Sequence, residues 1–297
     1  MSSIKIPKGQ ISLAGLLYEP SSSNGTSLVI VHPGGGVKEQ TASLYARKLS
    51  EHGFTSICYD ASHQGESGGE PHFLEDPSAR VSDIYAVIDY LERLPNVNPE
   101  KIAIVGICAG GGYAVAAARS DHRLKSLATV SMVNIGDSAR KGWNGDEDPK
   151  QHIATLKMAA QQLSIENRNG ADRAVVPYVP VKPDDKTPRD LREASDYYLT
   201  PRCQHPNASN KMLIDSLPLV VNFDAFHLAD LYLTQPVLLI AGEEAGSKWH
   251  TARLHGLLGG IAKRIIVPGA AHMDFYDNPE FVDLAVKEIA AFNVAQH

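Results

Sequence analysis

Short apolar segments alternate with stretches of helical periodicity along most of this 297-residue chain. The apolar segments are rich in Val, Ile and Leu, and the stretches between them repeat apolar residues every three or four positions. Strands that alternate with helices form parallel sheets covered by helices on both faces. The chain is therefore predicted to be an α/β protein whose mostly parallel sheet opens with a hairpin. The predicted strands span residues 4–7, 10–18, 27–31, 55–59, 101–105, 127–133, 236–241 and 264–267.

The alternation stops between residues 136 and 234. This stretch has no clear strand pattern; it contains helical segments at 153–163 and 191–198 and a proline-bearing stretch at 176–188. An insertion between two strands of a parallel sheet is expected over the carboxyl edge of the strands, where open α/β sheets bind their ligands. We predict a core of residues 1–135 and 235–297 and a helical cap of residues 136–234, inserted before the penultimate core strand.

Composition and charge narrow the class of protein. Hydrophobic residues make up 43% of the chain and charged residues 21%, which is typical of a soluble globular protein with a large hydrophobic core. The net charge of -6 includes no basic run, so neither a nucleic-acid nor a membrane-surface partner is expected. No stretch resembles a signal peptide or approaches the ~20 apolar residues of a membrane span. Three cysteines do not form a disulfide framework, so a cytoplasmic protein with reduced thiols is expected.

Residues 106–110, Gly-Ile-Cys-Ala-Gly, lie where a predicted strand meets a predicted helix. A nucleophile elbow requires this junction, because the sharp turn pushes its central residue towards positive φ and brings neighbouring backbone close. Glycines two positions before and after the centre remove the colliding Cβ atoms. The thiol of Cys108 would feel the positive end of the helix dipole and could give its proton to a histidine. Cys108 is the predicted nucleophile; the alternative is a buried cysteine in a tight packing turn.

The partners of a nucleophile are expected downstream, in the order acid and then base. His272 follows the last predicted strand within a run of small residues and is the predicted base. Glu244, after the strand at 236–241, is the predicted acid, and Asp137, after the preceding strand, is the alternative. A Cys–His pair without an acid is also open, because a thiol needs less activation than a hydroxyl.

An oxyanion hole is predicted from the N–H of Ala109 and an N–H of the glycine loop at 32–36, through Gly34 or Gly35. A plain tight turn is the alternative for that loop. Trp143 and Phe226, in the predicted cap, are expected to line an apolar acyl pocket. A satellite core or a homodimer contact is the alternative for those apolar residues.

The remaining motifs receive structural predictions. Asp60, with the turn at 65–68, is expected to shape the floor of the site without a chemical role. Cys58 lies inside a predicted strand and is expected to be inert core, and Cys203 has no glycine setting around it. No His, Asp or Glu cluster has metal-ligand spacing, so a metal hydrolase is disfavoured.

Four segments together resemble a known family: HPGGGVKEQ at 32–40, YDASHQGES at 59–67, GICAGGGY at 106–113 and PGAAH at 268–272. The chain is similar to the α/β-hydrolases related to dienelactone hydrolases. More narrowly, it resembles a capped subgroup that includes fungal polyketide transferases and thiohydrolases. The resemblance implies an α/β-hydrolase fold and a Cys-His-acid site that needs no cofactor. Two departures stand out: the insertion is longer than in dienelactone hydrolases, and Ala245 occupies the usual position of the acid.

The leading functional prediction is a hydrolase that cleaves an ester, lactone or thioester of a small-molecule acyl substrate through an acyl-cysteine intermediate. An acyl transferase or macrocyclase, in which an alcohol or amine replaces water, uses the same chemistry. From another class, the alternative is a non-catalytic ligand-binding protein on a hydrolase scaffold. Retention of both Cys108 and His272 favours an enzyme.

Overall fold

A computed structural model of the chain describes residues 1–169 and 172–296. Within these residues, eight strands form one sheet in the order β1-β2-β4-β3-β5-β6-β9-β10, and two short strands pair separately. The strands are β1 (Ser2–Lys8), β2 (Ile11–Tyr18), β3 (Ser27–Val31), β4 (Thr55–Tyr59), β5 (Ile102–Ile107), β6 (Leu124–Val130), β7 (Val175–Val176), β8 (Met212–Leu213), β9 (Val237–Gly242) and β10 (Ala262–Val267).

Helices follow most of the strands. They are α1 (Thr41–Glu51), α2 (Pro77–Leu91), α3 (Ala109–Ser120), α4 (Ile135–Lys141), α5 (Ile153–Asn169), α6 (Arg189–Leu199), α7 (Ser216–Asn222), α8 (Ala229–Tyr232), α9 (Lys248–Leu258), α10 (Asp274–Asp277) and α11 (Pro279–Gln296), with short 3-10 turns at Pro99–Lys101, Pro149–His152 and Gly259–Ile261.

The sheet pairing confirms the predicted α/β class. β1 pairs with β2 and β2 with β4 in antiparallel fashion, which forms the expected opening hairpin. The strands from β4 across to β10 are parallel to one another. Parallel strands cannot be joined by a tight turn, so helical connections carry the chain back across the faces of the sheet.

Two apolar layers cover the two faces of the sheet. Ile102 and Ile104 of β5 belong to the layer that includes residues of α2 and α3, whereas Val105 and Ile107 belong to the layer that includes residues of α1 and α11. This alternation follows the two-residue period of a strand. Every residue of β3, β5 and β9 is buried, as expected for parallel strands covered on both sides.

The inserted segment, residues 136–234, lies between β6 and β9, and its regular structure consists chiefly of helices. It includes α5 and α6, which extend the two helices predicted there, and the shorter α7 and α8. The expectation that it holds no strand needs a small correction, because β7 and β8 form an antiparallel pair two residues long. None of the helices in residues 1–169 and 172–296 combines the length and the hydropathy needed to cross a membrane.

Candidate active site

Cys108 forms the sharp turn between β5 and α3. Its backbone has φ 53° and ψ -124°, outside the regions that a side-chain-bearing residue prefers. Hydrogen bonds hold it there: its N–H donates to the carbonyl of Val130 at 3.0 Å, and its carbonyl accepts from Gly111 and Val133 at 2.9 and 2.8 Å. A strained conformation that persists because its surroundings fix it is typical of functional sites. The turn predicted from the glycine pattern is present.

The glycines around Cys108 are required by close backbone approach. A Cβ atom on Gly106 would lie 2.4 Å from the carbonyl oxygen of Gly110, and one on Gly110 would lie 2.3 Å from that of Val31. Both distances are shorter than any real contact of a side chain. The strand, the turn and the loop after β3 can therefore pack together only with glycine at these positions.

Cys108 is a partly exposed residue whose thiol lies among hydrogen-bond donors. Burial raises its pKa, whereas the Tyr276 hydroxyl and the backbone N–H groups of Ala109 and Gly34 lower it by hydrogen bonding. Ala109 and Gly34 are two of the three residues predicted for an oxyanion hole, and both N–H groups act on the sulfur. Gly35, the third, has φ 69°, and a Cβ there would lie 2.7 Å from the ring of Tyr178. Gly35 therefore makes room for Tyr178 above the loop.

His272 is buried in the loop after β10. Its Nδ1 lies 2.6 Å from Ser247 Oγ, and its Nε2 lies 3.4 Å from the hydroxyl of Tyr276. Burial lowers its pKa to about 4, and the charge of Asp190 opposes that effect. The imidazole is therefore neutral near pH 7 and able to accept a proton. The Tyr276 hydroxyl therefore forms hydrogen bonds with both the predicted nucleophile, Cys108, and the predicted base, His272.

Neither carboxylate predicted as the acid contacts His272. The Glu244 side chain is half exposed and pairs with Arg189 at 2.5 Å. Asp137 is buried, where it accepts from Asn134 at 3.1 Å and forms ion pairs with Arg140 and Arg253. The positions after the strands were predicted correctly, but the side chains point elsewhere: Glu244 points towards solvent and Asp137 towards the arginines of α4 and α9.

Ser247 and Asp190 surround His272 where an acid was expected. The carboxylate of Asp190, on α6 of the inserted segment, accepts from Trp143 Nε1 and from the N–H of Gly246, both at 2.8 Å. Its other oxygen lies 3.4 Å from the N–H of His272. No sequence pattern pointed to Asp190, because it lies 82 residues from His272. Tyr276 lies only four residues after His272, in α10, so a search of the residues next to the predicted base could have found it.

A cavity of about 320 Å³ lies above Cys108. Core residues and the inserted segment both line it, and within the described residues none of the lining side chains is Lys, Arg, Asp or Glu. The lining from the inserted segment includes Ser138, Ala139, Trp143, Pro177, Tyr178, Val179, Leu191, Ala194, Tyr198, Met212, Leu217, Val220 and Val221. The structure thus brings Cys108, His272 and Trp143 to one cavity.

Phe226 lies elsewhere, contrary to the sequence prediction. It is 2% exposed within the core layer beside α3, and the guanidinium of Arg253 lies over its ring at 5.2 Å. The reason is local: the carboxylate of Asp224 accepts from the N–H of Phe226 at 2.9 Å and turns the chain back towards the core. Phe226, close to the end of the insertion, therefore packs in the core and does not line the pocket.

The residues expected to be structural have structural partners. Asp60 is buried and accepts from the N–H of Lys38 at 2.7 Å, from its ammonium at 2.8 Å, and from the N–H of Glu66 at 2.9 Å. Cys58 is fully buried, and burial raises its pKa far above the ordinary value of a thiol. No three His, Cys, Asp or Glu side chains within 1–169 and 172–296 come together in a way that could hold a metal ion.

Comparison with known proteins places this chain in a family. The model of the dienelactone hydrolase family matches residues 13–132. The protein YcjY of Escherichia coli (strain K12) is 44% identical over 287 residues, which covers 95% of this chain and 94% of YcjY. The crystal structure of PA2218 from Pseudomonas aeruginosa has a TM-score of 0.92 at 31% identity and covers 100% of this chain and 93% of that one.

The structure of the α/β-hydrolase GrgF from Penicillium sp. sh18 has a TM-score of 0.79 at 20% identity and covers 98% of this chain and 99% of GrgF. A Penicillium sequence described as polyketide transferase grgF is 29% identical over 187 residues, which span 63% of this chain and 59% of that sequence. The chain has the α/β-hydrolase fold and belongs to the dienelactone hydrolase family.

Proposed function

We propose that this protein is a hydrolase that cleaves an ester, lactone or thioester through an acyl intermediate on Cys108. The observation that carries the proposal is the setting of the thiol. Cys108 lies at a strained strand-to-helix turn, where the backbone N–H groups of Ala109 and Gly34 hydrogen-bond its sulfur. The Tyr276 hydroxyl hydrogen-bonds the same sulfur and lies 3.4 Å from the neutral, buried imidazole of His272. These are the parts that acyl transfer to a nucleophile requires.

The resting site holds a neutral thiol and a neutral imidazole. With Nδ1–H donating to Ser247 Oγ, the lone pair of Nε2 faces the hydroxyl of Tyr276. His272 takes the thiol proton as the sulfur attacks the carbonyl carbon of the substrate. The carbonyl oxygen gains the electron pair and is stabilised by the N–H groups of Ala109 and Gly34.

Collapse of this intermediate breaks the bond to the leaving group. The proton on His272 passes to the departing alcohol or thiol, which leaves an acyl group on the sulfur of Cys108. His272 then accepts a proton from water as the water oxygen attacks the acyl carbon. The acid departs, and the proton returns from His272 to the sulfur, which restores the neutral pair.

The cavity supports an apolar acyl group as the substrate. Its lining lacks Lys, Arg, Asp and Glu within the described residues, so a charged acyl chain would lose hydration without gaining a partner. Residues of the inserted segment make up most of the lining, and we assign this segment the role of a cap that excludes water above the thiol. Cys58, Cys108 and Cys203 are free, which supports a cytoplasmic location where thiols stay reduced.

Trapping the intermediate tests the proposal directly. Brief reaction with p-nitrophenyl butanoate, followed by acid quench and mass spectrometry, should reveal one butanoyl group on the peptide that contains Cys108. Cys108→Ala should lower kcat/KM by roughly a thousandfold or more, because the covalent route is lost. Cys203→Ala is the matched control and should retain wild-type activity. An adduct on Cys203, or full activity in Cys108→Ala, would contradict the proposal.

Similarity to a polyketide transferase supports a second candidate, transfer of the acyl group to an alcohol or amine. Both reactions pass through the same acyl-Cys108 intermediate and differ in what attacks it. Product analysis with and without a short alcohol separates them: free acid as the main product supports the hydrolase, and a new ester as the main product supports the transferase. A ligand-binding protein without chemistry would give neither adduct nor turnover.

Acyl-chain length tests the role of the cavity. We expect kcat/KM to rise from acetyl to longer straight-chain thioesters until the cavity is filled, by up to about fourfold for each buried methylene. Val221→Phe narrows the lining and should move the optimum to shorter chains. Phe226→Leu changes the core beside α3 and should leave the optimum unchanged. A flat profile in all three proteins would remove the cavity from the substrate site.

A further inference from the structure

Asp190 is a buried carboxylate that the inserted segment brings to the loop of His272. It is the second residue of α6 and is 3% exposed. Its oxygens accept from Trp143 Nε1 and Gly246 N–H at 2.8 Å and lie 3.4 Å from the N–H of His272. All three donors are neutral. A buried carboxylate held by neutral donors favours a positive charge beside it.

The carboxylate of Asp190 bonds to the backbone of the loop after β9. Ala245 stands after β9 where an acid would be expected, and Asp190 bonds to Gly246, the next residue. Ser247 then contacts His272 Nδ1 at 2.6 Å. One cap residue therefore fixes the backbone on both sides of the base, since it binds the loop after β9 and the loop after β10.

Three titratable groups near His272, namely His250, Cys108 and Tyr276, are neutral near pH 7. His250 of α9 is buried, and burial lowers its pKa to about 3. Burial raises the pKa values of Cys108 and Tyr276, so both keep their protons. Asp274 accepts from the N–H of Ala271 at 2.8 Å and is the second carboxylate close to this loop.

We propose that Asp190 is the positioning residue that replaces the acid of the catalytic triad. Its negative charge stabilises the imidazolium formed when His272 takes the thiol proton, and its hydrogen bonds hold the loops of Ser247 and His272. This inference rests on the proposed function for the meaning of that proton transfer. It assigns the acid to the cap rather than to Glu244 or Asp137.

The same helix carries substrate-lining residues and the acid. Leu191, Ala194 and Tyr198 of α6 line the cavity, and Arg189 of its first turn pairs with Glu244 at 2.5 Å. The Arg189–Glu244 pair is half exposed, so it contributes little energy by itself. The pair nevertheless joins the first turn of α6 to the loop after β9, which is the loop whose Gly246 N–H donates to Asp190.

Asp190→Asn tests the charge, because the amide keeps the size and part of the hydrogen bonding. We expect kcat/KM to fall by about tenfold or more at its plateau. We also expect the titration of His272, followed by NMR of labelled histidine, to move to lower pH because the opposing negative charge is gone. Asp190→Glu should restore part of both. Circular dichroism at each pH checks that the variants remain folded.

Glu166→Gln is the matched control. Glu166 is also a buried carboxylate of the inserted segment, 8% exposed, and it accepts from one backbone N–H and one side-chain amide at 2.9 Å. Its removal should leave activity and the His272 titration unchanged. Asp274→Asn, the second carboxylate near the loop, should move the titration less than Asp190→Asn does.

The outcomes separate this inference from the proposed function. Wild-type activity in Asp190→Asn, or a lower plateau with the His272 titration unmoved, would overturn the role of the charge. Absence of any acyl-Cys108 adduct in the wild type would overturn the proposed function, and the NMR titration would still report the effect of Asp190 on His272.

Discussion

At the scale of single residues, Tyr276 is the contact that links Cys108 to His272. Its hydroxyl acts on the thiol, where it lowers the pKa, and lies 3.4 Å from His272 Nε2. Burial raises the pKa of Tyr276 well above its ordinary value, so the phenol keeps its proton and remains a donor. A donor that stabilises the thiolate makes that thiolate easier to form.

Tyr276→Phe should therefore raise the pKa of Cys108 and slow its reaction with iodoacetamide near pH 7 by roughly threefold to tenfold. Tyr45→Phe is the matched control, since the buried Tyr45 hydroxyl donates to the carbonyl of Phe275 at 2.9 Å instead. Alkylation rates measured from pH 6 to 10 give the thiol pKa of each protein. Equal rates in Tyr276→Phe and the wild type would remove the hydroxyl from the activation of Cys108.

The sequence predicted the residues whose positions the backbone fixes and missed those that depend on side-chain direction. Cys108 and Ala109 follow from the glycine pattern of the turn between β5 and α3, and Gly34 was one of two candidates in the glycine loop after β3. Glu244 follows the right strand, yet its carboxylate turns outward to Arg189. Asp190 reaches the site only through the folding of the inserted segment, and no short-range pattern encodes that contact.

At the scale of elements, the turn from β5 to α3 depends on glycine at Gly110. Gly110→Ala should destabilise the protein by about 2 kcal/mol or more, because its Cβ would lie 2.3 Å from the carbonyl oxygen of Val31. Gly256→Ala is the control within α9, where an added Cβ meets nothing within 4 Å. That change should stabilise by about 0.5–1 kcal/mol, as alanine favours helix. Urea unfolding gives the free energy of unfolding of both variants. A small loss of stability in Gly110→Ala would show that the turn relaxes around the added Cβ.

Long elements were easier to predict than short ones. The strands of the parallel sheet were found because each is a continuous apolar run buried on both faces. The predicted strand at 127–133 ends earlier, at Val130, because Ser131 has φ 44° and leaves the strand conformation. The helices α7 and α8 and the pair β7–β8 are two to seven residues long. Elements that short depend on tertiary contacts rather than on a periodic pattern.

At the scale of the whole molecule, a buried network joins the inserted segment to the core. The carboxylate of Glu75, fully buried before α2, accepts from Tyr113 of α3 at 2.5 Å and from Tyr178 of the inserted segment at 2.6 Å. Arg80 lies 3.7 Å from the same carboxylate. Tyr178 in turn packs on Gly35. The predicted oxyanion loop is thus held between the core and the inserted segment.

Buried neutral histidines should set the acid stability of the molecule. Burial lowers the pKa of His32, lowers that of His250 to about 3 and lowers that of His272 to about 4. Below pH 6.5 the unfolded chain binds protons that the folded protein does not, so the free energy of unfolding falls as pH decreases from 6.5 towards the folded pKa values. Asp60, whose pKa burial raises, acts in the opposite sense.

His250 offers the cleanest test, because it is fully buried and neither ring nitrogen has a hydrogen-bond partner among the described residues. A group with its folded pKa near 3 should cost about 2 kcal/mol of stability between pH 7 and pH 5. His250→Phe keeps a ring beside Trp249, with which His250 stacks at 3.7 Å, and removes the titrating group. Urea unfolding at both pH values should therefore show a smaller loss in His250→Phe than in the wild type, whereas His52→Gln, at an exposed histidine, should lose as much as the wild type. An equal loss in His250→Phe would mean that His250 does not contribute to the acid sensitivity and that other groups account for it.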